Sequence, residues 1–325
     1  MKRNTLGYAA GGLALALASA LAHAQPPNDA ALSPARVQQA SAPGTRHALI
    51  VCGLTGDAAH RTLFSGTIET LYTGLTTHHA FSPGKVTVLW SDAKADNEGP
   101  ALTASSGPAT RETLVEAATA LVGAVQPQDT LWVFVLGHTH YDGKHSWLNL
   151  PGPDMNQAEF GNLFAGIQCQ EQVFFMTTAA SGFFVKPLSK PGRIVIAATE
   201  ADREVNETIF PHKLAAVLSQ PPPYLELDID GDGRVSLLDA YLWTARETAQ
   251  EYATNMWLAT EHAQLDDNGD GRGSEVQAGF LLEELGGKLT AERKPPLVLS
   301  GDGAIARRLL LSYPPLPSSP DAKTE

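Results

Sequence analysis

The sequence predicts an α/β protein with a mostly parallel sheet and helices on both faces. Five apolar runs rich in β-branched and aromatic residues alternate with stretches whose apolar residues recur at helical spacing. Such runs are typical of strands buried on both faces of a parallel sheet. With 325 residues, 43% of them hydrophobic, the chain can bury a large core. The predicted strands are His47–Gly53, Lys85–Trp90, Thr130–Leu136, Gln172–Met176 and Arg193–Thr199.

The predicted helices lie between these strands and after them. Asp154 and Gln157 have the spacing of a capping box, which predicts a helix that begins there and runs to about Gly166. The other predicted helices, based on their apolar spacing, are Leu63–Thr73, Thr113–Val125, Pro211–Leu218 and Leu237–Thr260.

The first residues of the chain predict export. Lys2 and Arg3 precede an apolar run that ends in Ala22-His23-Ala24, which is the pattern of a signal peptide with its cleavage site. We therefore expect cleavage after Ala24, a periplasmic or secreted protein, and no membrane span in the mature chain. The predicted segments are a signal peptide over 1–24, a disordered linker over 25–45, an α/β domain over 46–220, a calcium-binding segment over 221–286 and a tail over 287–325, largely disordered at its end.

Charge and cysteine content narrow the possible partners and crosslinks. A net charge of −12 makes nucleic acid and anionic lipid poor partners and divalent cations suitable ones. Cys52 and Cys169 are expected at opposite ends of a parallel sheet, roughly 15 Å apart at about 3.3 Å per residue. A disulfide requires Cα atoms within about 7 Å, so we expect two unpaired thiols.

A histidine cluster follows the third predicted strand, where open α/β sheets place their sites. His138-Thr139-His140 is similar to the last motif of calcineurin-like metallophosphoesterases, and the run from His138 to Asp142 is similar to the zinc motif of metallo-β-lactamase-fold hydrolases. The other motifs of the first family are missing, and Gly143 stands where the second family needs a histidine. The sequence therefore favours neither metal centre.

Two strand ends taken together resemble the legumain- and caspase-like cysteine peptidases. Gly137-His138 ends the third strand, and Ser181-Gly182 follows the fourth, in the order in which that family places its general-base histidine and its nucleophile. The first strand HALIVCG, with Arg61 shortly after it, and the run LNLPGPD are also similar. The resemblance covers about residues 47–219 and implies the α/β fold of that family.

The resemblance also implies a peptidase fold without the peptidase nucleophile. His138 stands at the general-base position, but Ala179 stands where the family has its cysteine, and alanine offers no thiolate. The leading hypothesis is a catalytically inactive pseudopeptidase that binds an extended peptide or an envelope protein. The alternative is an active hydrolase in which His138 activates Ser181, Thr177 or Thr178. A third hypothesis is a purely structural, calcium-stabilised envelope protein.

Two acidic loops follow the α/β region. The first acidic loop, residues 228–239, reads DIDGDGRVSLLD and fits the EF-hand pattern, with oxygen ligands at alternate positions and a glycine at the sixth. The second acidic loop, residues 266–277, fits this pattern only through its seventh residue, so the sequence leaves metal binding there open. The predicted Ca²⁺ ligands are Asp228, Asp230, Asp232, the Arg234 carbonyl, Ser236 and Asp239 in the first loop, with Asp266, Asn268, Asp270 and the Arg272 carbonyl as candidates in the second.

Overall fold

A computed structural model of the chain describes residues 44–91, 101, 107–221, 227–284 and 301–311, without the side chains of 281–284. These residues belong to a unit that spans Ala42–Glu325, and the other unit, Met1–Ser41, lies outside the described residues. The predicted signal peptide, nearly all of the predicted linker and most of the predicted tail therefore also lie outside them. No helix within the described ranges is long and apolar enough to cross a membrane.

Five parallel strands form the centre of the main sheet, and they are the five strands that the sequence predicts. Each is almost entirely buried, which agrees with its apolar composition. They are β1 (Arg46–Cys52), β2 (Val86–Trp90), β3 (Thr130–Leu136), β7 (Glu171–Met176) and β8 (Arg193–Ala197). A separate three-stranded antiparallel sheet follows β3 and comprises β4 (Thr139–Tyr141), β5 (Ser146–Leu148) and β6 (Met155–Asn156).

Two short strands that the sequence analysis does not predict extend the main sheet at one edge. They are β9 (Gln264–Asp266) and β10 (Ser274–Glu275), which flank the turn of the second acidic loop. The resulting seven-stranded sheet has the order β10-β9-β8-β7-β3-β1-β2. The strands β9 and β10 are antiparallel to their neighbours, and the other five are parallel. The predicted class, an α/β fold with a mostly parallel sheet, is confirmed.

Helices cover both faces of this sheet, as predicted. Alternate residues of the central strands face opposite ways: Trp132 and Phe134 belong to one apolar cluster, whereas Leu131 and Val133 belong to the other. The first cluster includes residues of α1 (Ala58–His78), α5 (Phe210–Leu218), α6 (Leu237–Thr254) and α7 (Gln277–Glu284). The second includes residues of α2 (Arg111–Ala124), α3 (Gln157–Leu163) and α4 (Val185–Leu188).

Helix α1 extends five residues beyond the predicted Leu63–Thr73 at each end, and ends of two further helices were also predicted wrongly. The cap of α3 is Asn156, paired with Glu159 in a capping box, because the carboxylate of the predicted cap, Asp154, accepts a hydrogen bond from the backbone N–H of Leu150 instead. Helix α6 ends at Thr254, before the predicted Thr260, since Met256 adopts a left-handed conformation with φ 55°. No glycine or proline marks that end in the sequence.

The two cysteines are unpaired, as predicted. Cys52 is buried at the carboxyl end of β1, whereas Cys169 is half-buried and precedes β7 at the other end of the sheet. Burial raises the pKa of the Cys169 thiol to about 11, which keeps it protonated at neutral pH.

Candidate functional site

His138 lies at the carboxyl ends of the parallel strands, where the chain leaves β3 through Gly137. Gly137 has φ 96°, and a Cβ there would lie 3.0 Å from the backbone nitrogen of Gly53. Only glycine fits this approach of β3 to the end of β1. The Nε2–H of His138 donates to the carbonyl of Thr55 at 3.1 Å. Because a carbonyl oxygen only accepts, the neutral ring carries its proton on Nε2, which leaves Nδ1 as the basic atom.

The loop after β7 brings Ala179 next to the residue that follows His138. The hydroxyl of Thr139 donates to the carbonyl of Ala179, and the N–H of Ala180 donates to the carbonyl of Glu204 at 2.8 Å. Ala180 has a left-handed φ of 45°, so the loop turns sharply at this point. The sequence resemblance predicts the nucleophile position at Ala179, which is 4% exposed and offers only a methyl group that cannot attack a carbonyl.

The Ser181 hydroxyl forms structural hydrogen bonds inside the protein. Ser181 is fully buried, and its Oγ accepts hydrogen bonds from the backbone N–H groups of Ala198 and Thr199, at 3.0 and 3.2 Å. These bonds tie the loop to the end of β8. A nucleophile must reach both solvent and a base, but this buried hydroxyl bonds to the backbone of the two residues that follow β8.

The two threonines before Ala179 are buried as well. The Thr177 hydroxyl donates to the carbonyl of Val135 at 2.8 Å, on the neighbouring strand β3. Thr178 is fully buried, and its hydroxyl has no hydrogen-bond partner among the described residues. Neither side chain presents an accessible hydroxyl at the surface beside His138.

The remaining histidines of the cluster have separate partners. The Nδ1 of His140 is 2.6 Å from the Oδ1 of Asn149, and the Nδ1 of His145 is 3.2 Å from the Nε2 of Gln157. The backbone N–H of His145, the indole of Trp147 and the backbone N–H of Lys144 all bond to Asp142, and together they lower its pKa to about 2. His140 and His145 thus have different hydrogen-bond partners.

Two imidazole–carboxylate pairs that sequence reasoning missed flank the strand ends. His60 lies between Asp57 and Glu207, at 2.6 and 2.8 Å, and its hydrogen bond to Asp57 is the largest contribution to its raised pKa. His262 bonds to Glu204, whose carboxylate raises the pKa of the imidazole. Glu204 and Glu207 belong to the polar stretch after β8, but the sequence contains no motif that pairs them with histidines so far away.

The first acidic loop brings three carboxylates together. One ligand atom from each of Asp228, Asp230 and Asp232 lies within 4.8 Å of the other two. No other group of three His, Cys, Asp or Glu side chains within the described ranges brings its ligand atoms this close. Carboxylate oxygens at this spacing are the ligands that Ca²⁺ and Mg²⁺ prefer.

The backbone of the loop follows the predicted turn. The N–H of Gly233, which has φ 81°, donates to Asp228 Oδ2 at 2.9 Å. Arg234 follows this glycine, and its N–H donates to Asp232 Oδ1 at 3.0 Å. The turn therefore has its expected shape around the three carboxylates.

Asp239 braces the first loop from the start of α6. Its Oδ1 accepts hydrogen bonds from the N–H groups of Ile229 and Asp230, at 2.9 and 3.2 Å. Its Oδ2 accepts from the backbone and hydroxyl of Ser236, at 2.8 and 2.7 Å, within the capping box of α6. Asp239 is fully buried, and burial raises the pKa of its carboxyl group. Ser236 and Asp239, both predicted as Ca²⁺ ligands, thus hold the loop and the helix together.

The second acidic loop has the same turn in a different setting. Asp266 Oδ2 accepts from the N–H of Gly271 at 3.0 Å, Asn268 Oδ1 from that of Asp270 at 2.8 Å, and Asp270 Oδ1 from that of Arg272 at 2.8 Å. Asn268 replaces one of the three carboxylates of the first loop. The second loop therefore offers one negative charge fewer at these three positions.

The segment 301–311 packs against both loops. Asp302 Oδ1 accepts from the N–H of Asp267 at 3.2 Å, and Asp267 in turn accepts from the N–H groups of Gly303, Ile305 and Ala306 at 2.7–2.9 Å. At the first loop, Arg307 Nε lies 2.6 Å from Asp230 Oδ2. One short segment thus links the two acidic loops.

Comparisons with known proteins assign no family to the chain. No family model matches it, and no curated protein matches it. Among solved structures it is similar to the Drosophila initiator caspase Dronc, with a TM-score of 0.41 and 12% identity over 70% of this chain and 81% of that chain. The fold class rests on the strand order and register described above, and this similarity assigns no role to any residue.

Proposed function

We propose that this protein binds Ca²⁺ through the first acidic loop. The observation that carries the proposal is the convergence of Asp228, Asp230 and Asp232 to within 4.8 Å. Three carboxylates this close repel one another, and a divalent cation relieves that repulsion. The carbonyl of Arg234 is a further candidate ligand, and the buried carboxylate of Asp239 would stabilise the loop around the ion.

Calorimetry and thermal unfolding in the presence of Ca²⁺ test this proposal. At a free concentration of 100 times Kd, one bound ion adds about 2.7 kcal/mol to the free energy of unfolding. We expect the melting temperature to rise by roughly 5 to 10 °C, with one ion bound per chain. Asp232→Asn keeps the acceptor for the backbone N–H of Arg234 but removes a charge, so it should abolish most of the rise.

The matched control for this variant is in the second acidic loop. Asp270 accepts the equivalent hydrogen bond, from the N–H of Arg272. Asp270→Asn should leave the calcium-dependent rise within about 2 °C of the wild-type value. Absence of any rise in the wild type, or an equal loss in both variants, would remove the first loop as the calcium site.

We propose that the strand-end site around His138 binds an extended peptide without cleaving it. Two observations support a non-catalytic site. Ala179 offers no nucleophile, and the Ser181 hydroxyl is buried and hydrogen-bonded to the backbone. Aromatic surface beside the site supports binding: the ring of Tyr141 stacks on that of Phe183, with centroids 4.4 Å apart. Extended peptides commonly dock against such aromatic surfaces, because rigid rings supply contact area with little loss of entropy.

Two measurements test the proposal for the strand-end site. A serine-directed fluorophosphonate should not label Ser181, and peptide reporters should not be cleaved. A peptide library displayed on beads should retain the protein, and Trp147→Ala beside the site should weaken retention, whereas Trp257→Ala, at an exposed tryptophan outside the strand-end site, should not. Cleavage of reporters that is lost in His138→Ala would overturn the non-catalytic assignment.

We also propose that the protein is exported, on the pattern of residues 1–24. The secreted or periplasmic protein should begin at Gln25 when its first residues are sequenced. Recovery of the chain with Met1 intact from the cytoplasm would contradict export.

A further inference from the structure

Two carboxylates of the first acidic loop use one oxygen each to support the loop backbone. Asp230 Oδ1 accepts the N–H of Asp232 at 3.1 Å, and Asp232 Oδ1 accepts the N–H of Arg234 at 3.0 Å. Each of these two aspartates therefore has its Oδ2 left for a cation. Carboxylates can bind Ca²⁺ through a single oxygen, so Oδ2 can serve as the ligand while Oδ1 keeps its bond to the backbone.

A side chain from elsewhere in the sequence faces both remaining oxygens. Arg307 Nε lies 2.6 Å from Asp230 Oδ2 and 4.0 Å from Asp232 Oδ2. The Asp230 side chain has no exposed surface, whereas that of Arg307 is 42% exposed. The guanidinium thus covers the Asp230 carboxylate, which a bound ion would have to reach. Because the Arg307 side chain is partly exposed, it can move into solvent.

The backbone around Arg307 is attached to the same loop. Leu311 donates its N–H to the carbonyl of Val235 at 3.0 Å, and Leu237 donates its N–H to the carbonyl of Leu309 at 2.8 Å. These bonds hold the segment 301–311 beside the loop whether or not the ion pair is formed. Arg307 is therefore a tethered cation with a high local concentration at the loop.

From this geometry we infer, resting on the proposed calcium function, that Arg307 is a built-in counter-ion that competes with Ca²⁺ for the first acidic loop. In the metal-free protein its guanidinium neutralises part of the charge on Asp230 and Asp232. A calcium ion binds when this side chain swings into solvent. The arginine thereby weakens calcium affinity and stabilises the metal-free loop.

Calcium titration by calorimetry of wild type, Arg307→Gln and Arg308→Gln tests this inference. Arg308 is exposed and adjacent in sequence, so its variant removes the same formal charge without touching the loop carboxylates. We expect Arg307→Gln to lower the Kd for Ca²⁺ about tenfold and Arg308→Gln to change it less than twofold. Such a difference corresponds to about 1.4 kcal/mol of binding free energy.

Further variants separate charge from packing. Arg307→Met retains an aliphatic stem and should behave like Arg307→Gln, so either neutral variant that folds provides the test. Arg307→Lys keeps the positive charge and should bind Ca²⁺ within about threefold of wild type. Without calcium, both neutral variants should melt below wild type, because the loop carboxylates lose their counter-ion.

The outcomes distinguish this inference from the calcium function itself. Equal or weaker calcium binding by Arg307→Gln, with wild type binding normally, would overturn the counter-ion role alone. Tighter binding by Arg307→Lys, to the level of the neutral variants, would also overturn it. Absence of calcium binding in every variant would overturn both the calcium function and the competition.

Discussion

The two acidic loops have the same turn conformation but lie in different environments. Each places two glycines at positive φ, Gly231 and Gly233 in the first and Gly269 and Gly271 in the second. In each, the leading aspartate accepts the N–H of the sixth residue, at 2.9 and 3.0 Å. The repeated pattern of aspartate, asparagine and glycine therefore produces the same local conformation twice.

The residues at the second position of each loop show how the environments differ. Ile229 in the first loop packs against the apolar core, whereas Asp267 in the second is buried and accepts three backbone N–H groups of the segment 301–311. The first loop leads into α6, while the second joins two strands of the main sheet. The first loop is therefore the candidate ion site, and the second loop is a structural anchor for the segment 301–311.

The largest effect is expected from breaking that anchor. Asp267→Ala leaves three buried backbone N–H groups without their acceptor, and we expect it to lower the free energy of unfolding by about 3 to 4 kcal/mol. The equivalent substitution in the first loop, Ile229→Ala, removes only partly buried apolar surface and should cost about 1 to 2 kcal/mol. Urea unfolding measures both, and equal losses would contradict the structural role of the second loop.

A second prediction concerns Glu261, which lies in the stretch of chain between the first and the second acidic loop. Glu261 is fully buried, its two oxygens accept the N–H groups of Ile209 and Phe210 at the start of α5, and burial raises its pKa to about 7. A raised pKa in the folded state means that the stabilisation is complete below the unfolded pKa of about 4.5 and is lost as pH rises through 7. We expect the free energy of unfolding to lose a contribution of the order of 3 kcal/mol across this window.

Glu261→Gln isolates that contribution, because its amide stays neutral at every pH. The difference in unfolding free energy between wild type and variant should change steadily from pH 4.5 to 7. Buried His79 and His212, whose pKa values burial lowers to about 4, act in the opposite direction below pH 6.5, and the difference removes them. Glu116→Gln, at an exposed glutamate on α2, should show no such change; a constant difference for Glu261→Gln would contradict the prediction.

A third prediction compares two glycines at equivalent positions of the loops. A Cβ at Gly269 would lie 2.7 Å from the backbone nitrogen of Pro191, whereas one at Gly231 would meet nothing within 4 Å. Both residues have positive φ, so Gly231→Ala should cost about 1 kcal/mol through strain alone. Gly269→Ala should cost about 2 kcal/mol more, because backbone must move. Thermal unfolding of the two variants measures both losses, and equal losses would contradict the close contact at Gly269.

The strand-end site was predictable in part. The apolar run of β3 and its terminal glycine are local features, and they were enough to place His138 at the end of a buried strand. The order of strands then predicted Ala179 near this strand end, and the Thr139 hydroxyl donates to the carbonyl of Ala179. The hydrogen bonds of Ser181 were not predictable, because its Oγ accepts from backbone N–H groups just after β8, 17 and 18 residues further along the sequence.

The amino-acid sequence by itself determined the five parallel strands, the unpaired cysteines and the turn of both acidic loops. Strand burial and turn shape depend on residues a few positions apart, so their pattern is readable along the chain. Only the tertiary structure decided that Asp267 anchors a distant segment and that Arg307 reaches Asp230, 77 residues away in sequence. Such pairings depend on how helices, strands and loops pack together. The local sequence of the two similar acidic loops does not show which of them will contact Arg307.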